Sequence, residues 1–301
     1  MVKDLVIVGA GPAGITAAVY AARKKMEFSV LTQDIGGQAA WSGDIENYTG
    51  YQFITGPDLA IKFREHLEKF EFDLREGVGV QKIEPEGQTF SILSSNSERL
   101  SARTVIVASG KRPRNLNVPG ENEYKNRGVT YCATCDGPIF ANKIVAVIGG
   151  GNSALDAALQ MIRLASQVYL INLTDKLTGD PVMQEKIALA KNVEVINNTK
   201  ILEIYGGKFV EGMKIDTLGN TRDLKLQGVF VEIGLIPNSD MIGFVAKNQL
   251  GEIIVSCANE TDVPGVFAAG DVTNVPEKQI IVAAGEGAKA ALTAFRYLST
   301  H

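Results

Sequence analysis

The sequence has few cysteines, no long apolar stretch and no long basic run. It contains only three cysteines in 301 residues, too few for a disulfide-stapled secreted domain. No apolar stretch reaches the roughly 18 unbroken residues of a membrane helix. The formal net charge is −4 without a long basic run, so neither nucleic acid nor a membrane is expected as a partner. Because the first residues also lack a signal-peptide pattern, we expect a cytoplasmic location.

The remaining composition is that of an ordinary globular protein, 45% hydrophobic and 21% charged. A chain of this length predicts two domains. Two βαβ openings support this number. The apolar strand of residues 5–8 leads into a glycine loop and an alanine-rich helix over 15–25, with a further strand at 28–31. A second strand at 144–148 leads into a similar loop, a helix to about 164 and a strand at 168–171.

Both glycine loops are of a kind that binds nucleotides. Gly9-x-Gly11-x-x-Gly14 and Gly149-x-Gly151-x-x-Ala154 each follow a strand and open a helix. In this setting backbone N–H groups at a helix N-terminus face a pyrophosphate, and glycine allows its close approach. In an NAD site, an acidic residue at the end of the next strand binds the ribose. After the first loop, Thr32 and Gln33 occupy that position. After the second loop, Asn172 could bond a ribose, and only Lys176 offers a nearby cation.

The third chemical feature is a pair of cysteines, Cys132-x-x-Cys135, followed by Asp136. A zinc site would need two more soft ligands, and Cys257, His66 and His301 are distant and not spaced as a second pair, so no metal is expected. Two thiols at this spacing favour thiol–disulfide exchange. Asp136 could protonate the leaving thiolate or could simply precede a turn. We expect Cys257 to be half-buried and structural.

Taken in order, these motifs resemble the low-molecular-weight thioredoxin reductase family and the C-terminal half of the alkyl hydroperoxide reductase flavoprotein subunit. Further matching segments lie at residues 36–38, 45–48, 265–271, 278–281 and 285–287. The resemblance implies an FAD enzyme in which Cys135 faces the flavin and Cys132 attacks the disulfide of a partner. It also implies a homodimer and an inserted domain that rotates to present nucleotide and dithiol to the flavin in turn.

The same resemblance assigns the binding residues. Those around FAD are expected to be Gly9, Gly11, Pro12, Ala13, Gly14, Gly37, Gln38, Asn47, Gly110, Gly270, Asp271, Lys278, Gln279 and Ile280, with Asp271 on the ribityl chain. Those at the second nucleotide are Gly149, Gly151, Asn152, Ser153, Ala154 and Asn172.

The family's phosphate-reading His-Arg-Arg run and following arginine are absent, and residues 172–174 and Gly179 stand in their place. We therefore rank NADH first as donor, reduced ferredoxin second and NADPH third. The acceptor is expected to be thioredoxin or a similar separate small protein, because a thioredoxin-like N-terminal extension is absent. A ferredoxin or flavodoxin reductase is disfavoured by the dithiol. A redox-sensing flavoprotein without turnover and a zinc-binding module are the remaining alternatives.

The predicted fold is α/β, with two Rossmann-like three-layer nucleotide-binding domains. The second is inserted into a discontinuous first domain. We assign residues 1–114 and 242–301 to the FAD domain and residues 115–241 to the inserted, dithiol-bearing domain.

Overall fold

The computed structural model describes residues 2–42 and 44–300, except for the side chains of Trp41, Asp44 and Cys135. The chain divides into two compact units. The first comprises the residues up to Arg112 and those from Ile236 onward, and the second is Pro113–Leu235. Both boundaries differ from the predicted ones: residues 113–114 belong to the second unit, and residues 236–241 belong to the first. Asn238 donates its backbone N–H to Gly110, and Met241 accepts that of Ile83, so this segment is tied to the first unit by its backbone.

A seven-stranded sheet forms the centre of the first unit. Its strands are β1 (Val2–Ala10), β2 (Phe28–Ile35), β5 (Asp73–Glu76), β6 (Val80–Glu86), β7 (Thr89–Ser94), β8 (Arg99–Val107) and β19 (Val266–Ala268), and a separate small hairpin contains β3 (Asp44–Ile45) and β4 (Ile54–Thr55). The order in the sheet is β5-β2-β1-β8-β7-β6, and β19 also pairs with β8. Strands β5, β2, β1, β8 and β19 run parallel, so their carboxyl ends share one edge.

Helices cover one face of this sheet: α1 (Pro12–Arg23), α2 (Gly56–Leu67) and α6 (Ile280–Thr300). Their apolar side chains meet Leu5, Ile7 and Ile106 of the sheet in one buried cluster. Apolar side chains of the other sheet face, including those of β6 and β7, form a second cluster with residues 242–255. Helix α6 begins at Ile280, because the segment 280–284 is apolar and its Ala283 and Ala284 are buried.

The second unit is built on a five-stranded parallel sheet. Its strands are β10 (Val129–Thr130), β11 (Ile144–Ile148), β12 (Gln167–Ile171), β13 (Val193–Ile196) and β17 (Gly228–Val231). They lie in the order β10-β17-β11-β12-β13. Helices α3 (Ala133–Asp136), α4 (Asn152–Leu164) and α5 (Pro181–Ala188) pack on one face. The other face carries an antiparallel meander of β14 (Thr199–Gly206), β15 (Val210–Thr217) and β16 (Asn220–Lys225).

The chain passes between the units within the short strands β9 (Lys111–Pro113) and β18 (Leu235–Pro237). The predicted fold class, two Rossmann-like α/β folds, is confirmed. Strands β5–β7 and the meander β14–β16 were not predicted, because their mixed polar and apolar residues give no clear apolar run. No helix among the described residues is long and apolar enough to cross a membrane.

Candidate active site

The first glycine loop connects β1 to α1 at the carboxyl edge of the first sheet. Gly9 has φ +101°, a conformation that disfavours other residues, and a Cβ there would lie 2.4 Å from the Ala108 oxygen. A Cβ on Gly14 would lie 1.9 Å from the Gly9 oxygen, so helix and strand could not pack as closely. Gly11 differs from both. A Cβ on Gly11 would meet no described atom within 4 Å, and no described side chain caps α1. The loop therefore presents open backbone at a helix N-terminus, where a pyrophosphate fits.

Residues distant in sequence meet this loop at the same edge. A Cβ on Gly37 would lie 3.2 Å from the Gly11 Cα. The Gln38 side chain donates to the Lys111 oxygen at 3.0 Å, beside Gly110 at the end of β8. The Asn47 amide donates to the Gln279 side chain at 3.1 Å, joining positions 232 residues apart. Of these residues, Gly11, Gly37, Gln38, Asn47, Gly110 and Gln279 were predicted to contact FAD, and the structure brings them into contact in pairs within the first unit.

The turn that carries Gly270 and Asp271 is a 3-10 helix, Gly270–Val272, directly after β19. Glu286, buried in α6, accepts the Gly270 backbone N–H at 3.0 Å and so holds the turn. Burial raises the pKa of the Asp271 carboxyl above its usual value, and Lys278 and Lys111 oppose that rise. Asp271 is thus a partly buried acid near the carboxyl edge of the sheet. The turn packs against the glycine loop, since a Cβ on Gly270 would lie 3.0 Å from the Ala13 Cβ.

Lys278 and Lys111 share one carboxylate. Glu252 bonds Lys111 at 2.9 Å and Lys278 at 3.1 Å, and its side chain is only 8% exposed. Burial by itself raises the pKa of Glu252, but hydrogen bonds from Lys111, Asn248 and Lys278 lower it to about 2. The Lys278 ammonium also donates to the Thr273 oxygen at 2.5 Å. Lys278, predicted as an FAD contact, therefore also ties the segment after Asp271 to the rest of the unit.

Sequence reasoning missed Glu252 and Glu286 as supporting residues. Glu286 left one signal, since an acid flanked by glycines within an apolar helix is unusual on a buried face. Glu252 lies in an irregular segment and left no such signal. Its partners Lys111 and Lys278 are 141 and 26 positions away, so only the folded chain identifies the group.

The second glycine loop repeats the geometry of the first between β11 and α4. Gly149 has φ +139°, and a Cβ there would lie 2.2 Å from the Glu232 oxygen. A Cβ on Gly151 would again meet nothing within 4 Å, and no described side chain caps α4. Ala154, in place of the last glycine, is fully buried. Ser153 is exposed in the first turn of α4. This loop, too, fits the pyrophosphate of a dinucleotide.

Asn172, predicted to contact a ribose, is 5% exposed and holds its own loop together. Its amide nitrogen donates to the Thr174 oxygen at 3.1 Å, the Lys176 oxygen at 2.8 Å and the Asn197 side chain at 3.2 Å. The side chain is thereby engaged within the protein. The ribose contact stays a prediction, and the structure assigns Asn172 a role in shaping the loop after β12.

The loop that follows folds over the glycine loop. Asn152 accepts the backbone N–H of Asp180 at 2.7 Å, and Gly150 accepts that of Gly179 at 3.0 Å. A Cβ on Gly179 would lie 2.4 Å from Leu155 Cδ1, so no larger side chain fits there without movement. At the cationic position of the resembled family, this chain therefore has a glycine packed against Leu155.

The dithiol segment follows β10 at the carboxyl edge of the second sheet. Cys132 is disulfide-bonded. The side chain of Cys135, its predicted partner, lies outside the described residues. The Cys132 backbone N–H donates to the Thr130 hydroxyl at 3.2 Å, and that hydroxyl donates to the Asp136 carboxylate. Thr130 thus connects the backbone of Cys132 to the predicted acid, a connection that sequence reasoning missed. Cys257 is a free thiol and is exposed, not half-buried as expected, because it lies in a turn after residue 255.

The dithiol and the second glycine loop both follow strands of the same parallel sheet. The dithiol follows β10, the glycine loop follows β11, and β17 lies between them. Among the residues described, no group of three or more His, Cys, Asp or Glu side chains could hold a metal ion.

Two glycine loops and a disulfide on Rossmann-like units define an oxidoreductase of the dinucleotide-binding class. The sequence matches the family described as pyridine nucleotide-disulphide oxidoreductase over residues 3–287. The chain belongs to this family.

Relatives and solved structures agree with that assignment. The chain is 44% identical to a Xanthomonas campestris alkyl hydroperoxide reductase subunit, over 98% of this chain and 57% of the relative. It is 42% identical to a Bacillus subtilis NADH dehydrogenase over 98% and 58% of the two chains. It superposes on Lactococcus lactis thioredoxin reductase with a TM-score of 0.91 at 34% identity, covering 99% of this chain and all of that one. The chain thus spans somewhat more than half the length of these curated relatives.

Proposed function

We propose that the chain is an FAD-dependent disulfide reductase that passes two electrons from NADH, through the Cys132 and Cys135 pair, to a disulfide on thioredoxin or a similar small protein. One observation carries this proposal. The disulfide of Cys132 lies at the carboxyl end of β10, on the same sheet edge as the second glycine loop. A redox pair and a dinucleotide loop on one edge are what a reductase needs.

FAD fits the first unit. The open backbone at Gly11 and the α1 N-terminus would hold its pyrophosphate, and Asp271 offers a partly buried carboxyl to a hydroxyl-rich chain. Asn47, Gln38 and Gln279 add polar side chains at the same edge. When bound, FAD supplies the two-electron chemistry that connects a pyridine nucleotide with a dithiol.

In the proposed acceptor step, the Cys132 thiolate attacks a sulfur of the partner disulfide and forms a mixed disulfide, while the other partner sulfur leaves as a thiolate. The Cys135 thiolate then attacks Cys132 and releases the second partner sulfur. The enzyme pair is oxidised to a disulfide, and the partner is reduced to a dithiol. Asp136, held by Thr130, is positioned one turn from Cys132 to give a proton to a leaving thiolate.

NADH is the proposed donor because the second unit offers no built site for a 2′-phosphate. Gly179 offers no cation and packs against Leu155, and the loop after Asn172 carries exposed Asp175 and Asp180 against one exposed Lys176. A phosphate needs cations or several donors there. The name of the B. subtilis relative, NADH dehydrogenase, supports the same donor. We further propose a cytoplasmic homodimer.

Anaerobic stopped-flow absorbance tests the donor. The purified flavoprotein is mixed with NADH, NADPH or reduced ferredoxin, and flavin bleaching is followed. We expect fast bleaching with NADH and slow or no bleaching with the other two. Bleaching by ferredoxin alone would reject NADH. Flavin that no donor reduces would favour a sensing flavoprotein.

The acceptor is tested with oxidised thioredoxin under NADH. Cys132→Ser and Cys135→Ser should each abolish thioredoxin reduction while leaving flavin bleaching by NADH intact. The matched control is Cys257→Ser, because Cys257 is an exposed free thiol. It should keep wild-type turnover. Equal turnover of Cys132→Ser and wild type would show that electrons leave by another route.

A further inference from the structure

Glu232 occupies the point in the second sheet where the strand order reverses. It is the first residue after β17, which lies between β11 with its glycine loop and β10 with the dithiol. The backbone N–H of Glu232 donates to the Ile148 oxygen at 2.8 Å. Its backbone carbonyl oxygen would lie 2.2 Å from a Cβ on Gly149. In open α/β sheets, ligands bind in the crevice outside the carboxyl ends at this reversal. Glu232 therefore borders the crevice in which the dinucleotide is proposed to bind.

The first unit provides an internal comparison. Gly9 packs against the oxygen of Ala108 at the end of β8, just as Gly149 packs against that of Glu232 at the end of β17. Ala108 is apolar and 5% exposed. The two loops are built alike, but the residue whose backbone oxygen packs against the first glycine is a glutamate in the second unit and an alanine in the first. Packing around the glycine loop does not require an acid there.

The surroundings of Glu232 disfavour its charge. Burial raises the pKa of Glu232 to about 8, and the nearby Asp156 of α4 adds to the rise. Asp156 is itself fixed, since Gln160 donates to it at 2.8 Å and accepts from Thr134 of the dithiol helix at 3.1 Å. On the β10 side, Asp136 is engaged by Thr130. Within the described part of the chain, no lysine or arginine forms an ion pair with Glu232.

We propose that Glu232 is a proton-linked positioning residue of the donor site: the dinucleotide binds the form in which this carboxyl is protonated, and binding to the ionised form takes up one proton. The inference rests on the proposed donor function. A pyrophosphate at the N-terminus of α4 brings negative charge beside Glu232, and a bound donor removes more water from it. Both effects favour the neutral acid. A neutral carboxyl can also donate a hydrogen bond to a ribose or carboxamide oxygen, which a carboxylate cannot.

The sign of the pH dependence follows from this. Well below the pKa of Glu232, which burial raises to about 8, the free enzyme carries the proton, and donor affinity should be constant. Above pH 8 the binding-competent fraction falls, so the dissociation constant should rise by about tenfold between pH 7 and pH 9.

Calorimetric titration of the oxidised holoenzyme tests the proposal. The probe is tetrahydro-NADH, a reduced-nicotinamide analogue that cannot transfer hydride, and the titrations are made in buffers of different ionisation enthalpy. At pH 8 we expect uptake of about half a proton per site. Glu232→Gln, which keeps the shape but cannot ionise, should bind with the same affinity at pH 7 and pH 9 and take up no proton. Asp156→Asn, which keeps an acceptor for Gln160, should shift the midpoint to lower pH.

The matched control is Glu185→Gln, an exposed carboxylate of the same unit, which should keep the wild-type pH profile. The proposal is overturned if Glu232→Gln keeps the wild-type pH dependence, or if wild-type binding is independent of pH. In either case NADH would still bleach the flavin, and the donor assignment would stand. If the analogue binds at no pH and NADH bleaches nothing, both the donor assignment and the role of Glu232 are rejected.

Discussion

The carboxylate of Glu286 accepts the backbone N–H of Gly270 at 3.0 Å, although the two residues belong to different elements of the first unit. This contact fixes the 3-10 turn that carries Asp271 against α6. Thr273 donates to the same carboxylate oxygen at 3.5 Å. A single buried side chain therefore sets the position of the acid proposed to contact the flavin.

Replacing Glu286 with alanine should destabilise the holoenzyme by about 2 kcal/mol, because the buried Gly270 N–H loses its acceptor. We expect FAD to be released at lower temperature, measured by the rise of flavin fluorescence on heating. Glu286→Gln retains an acceptor oxygen and should stay near wild type. Glu277→Ala, at an exposed position close by, is the control. Identical release temperatures for Glu286→Ala and Glu277→Ala would contradict the assigned role.

The two open glycines should separate the two nucleotide sites. Gly11→Ala is expected to fold but to lose FAD, whereas Gly151→Ala should keep FAD and bind NADH more weakly, in each case by roughly ten- to a hundredfold because the added methyl group blocks charge-assisted N–H contacts. The measurements are flavin content and the NADH dependence of flavin bleaching.

Reduction by dithionite is the control for Gly151→Ala and should match wild type, since it needs no nucleotide. Gly14→Ala provides the contrast, because its Cβ would lie 1.9 Å from the Gly9 oxygen and should impair folding itself. Normal NADH affinity in Gly151→Ala would place the donor elsewhere.

The hydroxyl of Thr130 is expected to position Asp136 for proton transfer. Thr130→Val removes the hydroxyl and should slow thioredoxin reduction, and Asp136→Asn should slow it by about a hundredfold, a usual size for the loss of a general acid. Thr130→Ser keeps the hydroxyl and should restore the rate. Flavin bleaching by NADH should be unchanged in all three variants. A rate in Thr130→Val equal to that of Thr130→Ser would show that the hydroxyl has no role.

The ion pairs of Glu252 should make the folded protein less stable as the pH falls. Its pKa in the folded protein, about 2, lies below that of an unfolded glutamate. Such a group stabilises the fold above the unfolded pKa of about 4.3, and the contribution is lost as the pH falls toward 2. Glu252→Gln should cost about 3 kcal/mol at pH 7, because Lys111 and Lys278 lose their shared counter-ion.

Urea unfolding of wild type and Glu252→Gln over pH 3 to 7 measures this effect. The difference in unfolding free energy should be constant above pH 5 and roughly halved at pH 3. The exposed pair of Arg222 and Glu194 supplies a control, since Glu194→Gln should change stability by less than about 1 kcal/mol. A cost for Glu252→Gln that is the same at pH 3 and pH 7 would remove the proposed ion-pair contribution.

Local sequence patterns were sufficient for the elements whose signals are short. The strand over 144–148 and the helix that ends at Leu164 have the predicted bounds, because an apolar run followed by a spaced glycine loop is encoded within about twenty residues. The meander β14–β16 could not be found in this way. Its strands are partly exposed on one side, and their pairing depends on the sheet on which they pack.

The sequence by itself determined three features of this protein: two glycine loops of the nucleotide-binding type, one C-x-x-C cysteine pair and a Rossmann-like fold around each loop. The tertiary structure decided which side chains support that chemistry. Asn47 meets Gln279, Lys111 meets Glu252, and Glu232 comes to lie between the glycine loop and the dithiol strand. The physical reason is the difference in sequence separation between the two kinds of interaction. Glycine spacing and apolar periodicity act between neighbours in the chain, whereas these contacts join residues far apart in the chain and exist only once strand order has been set.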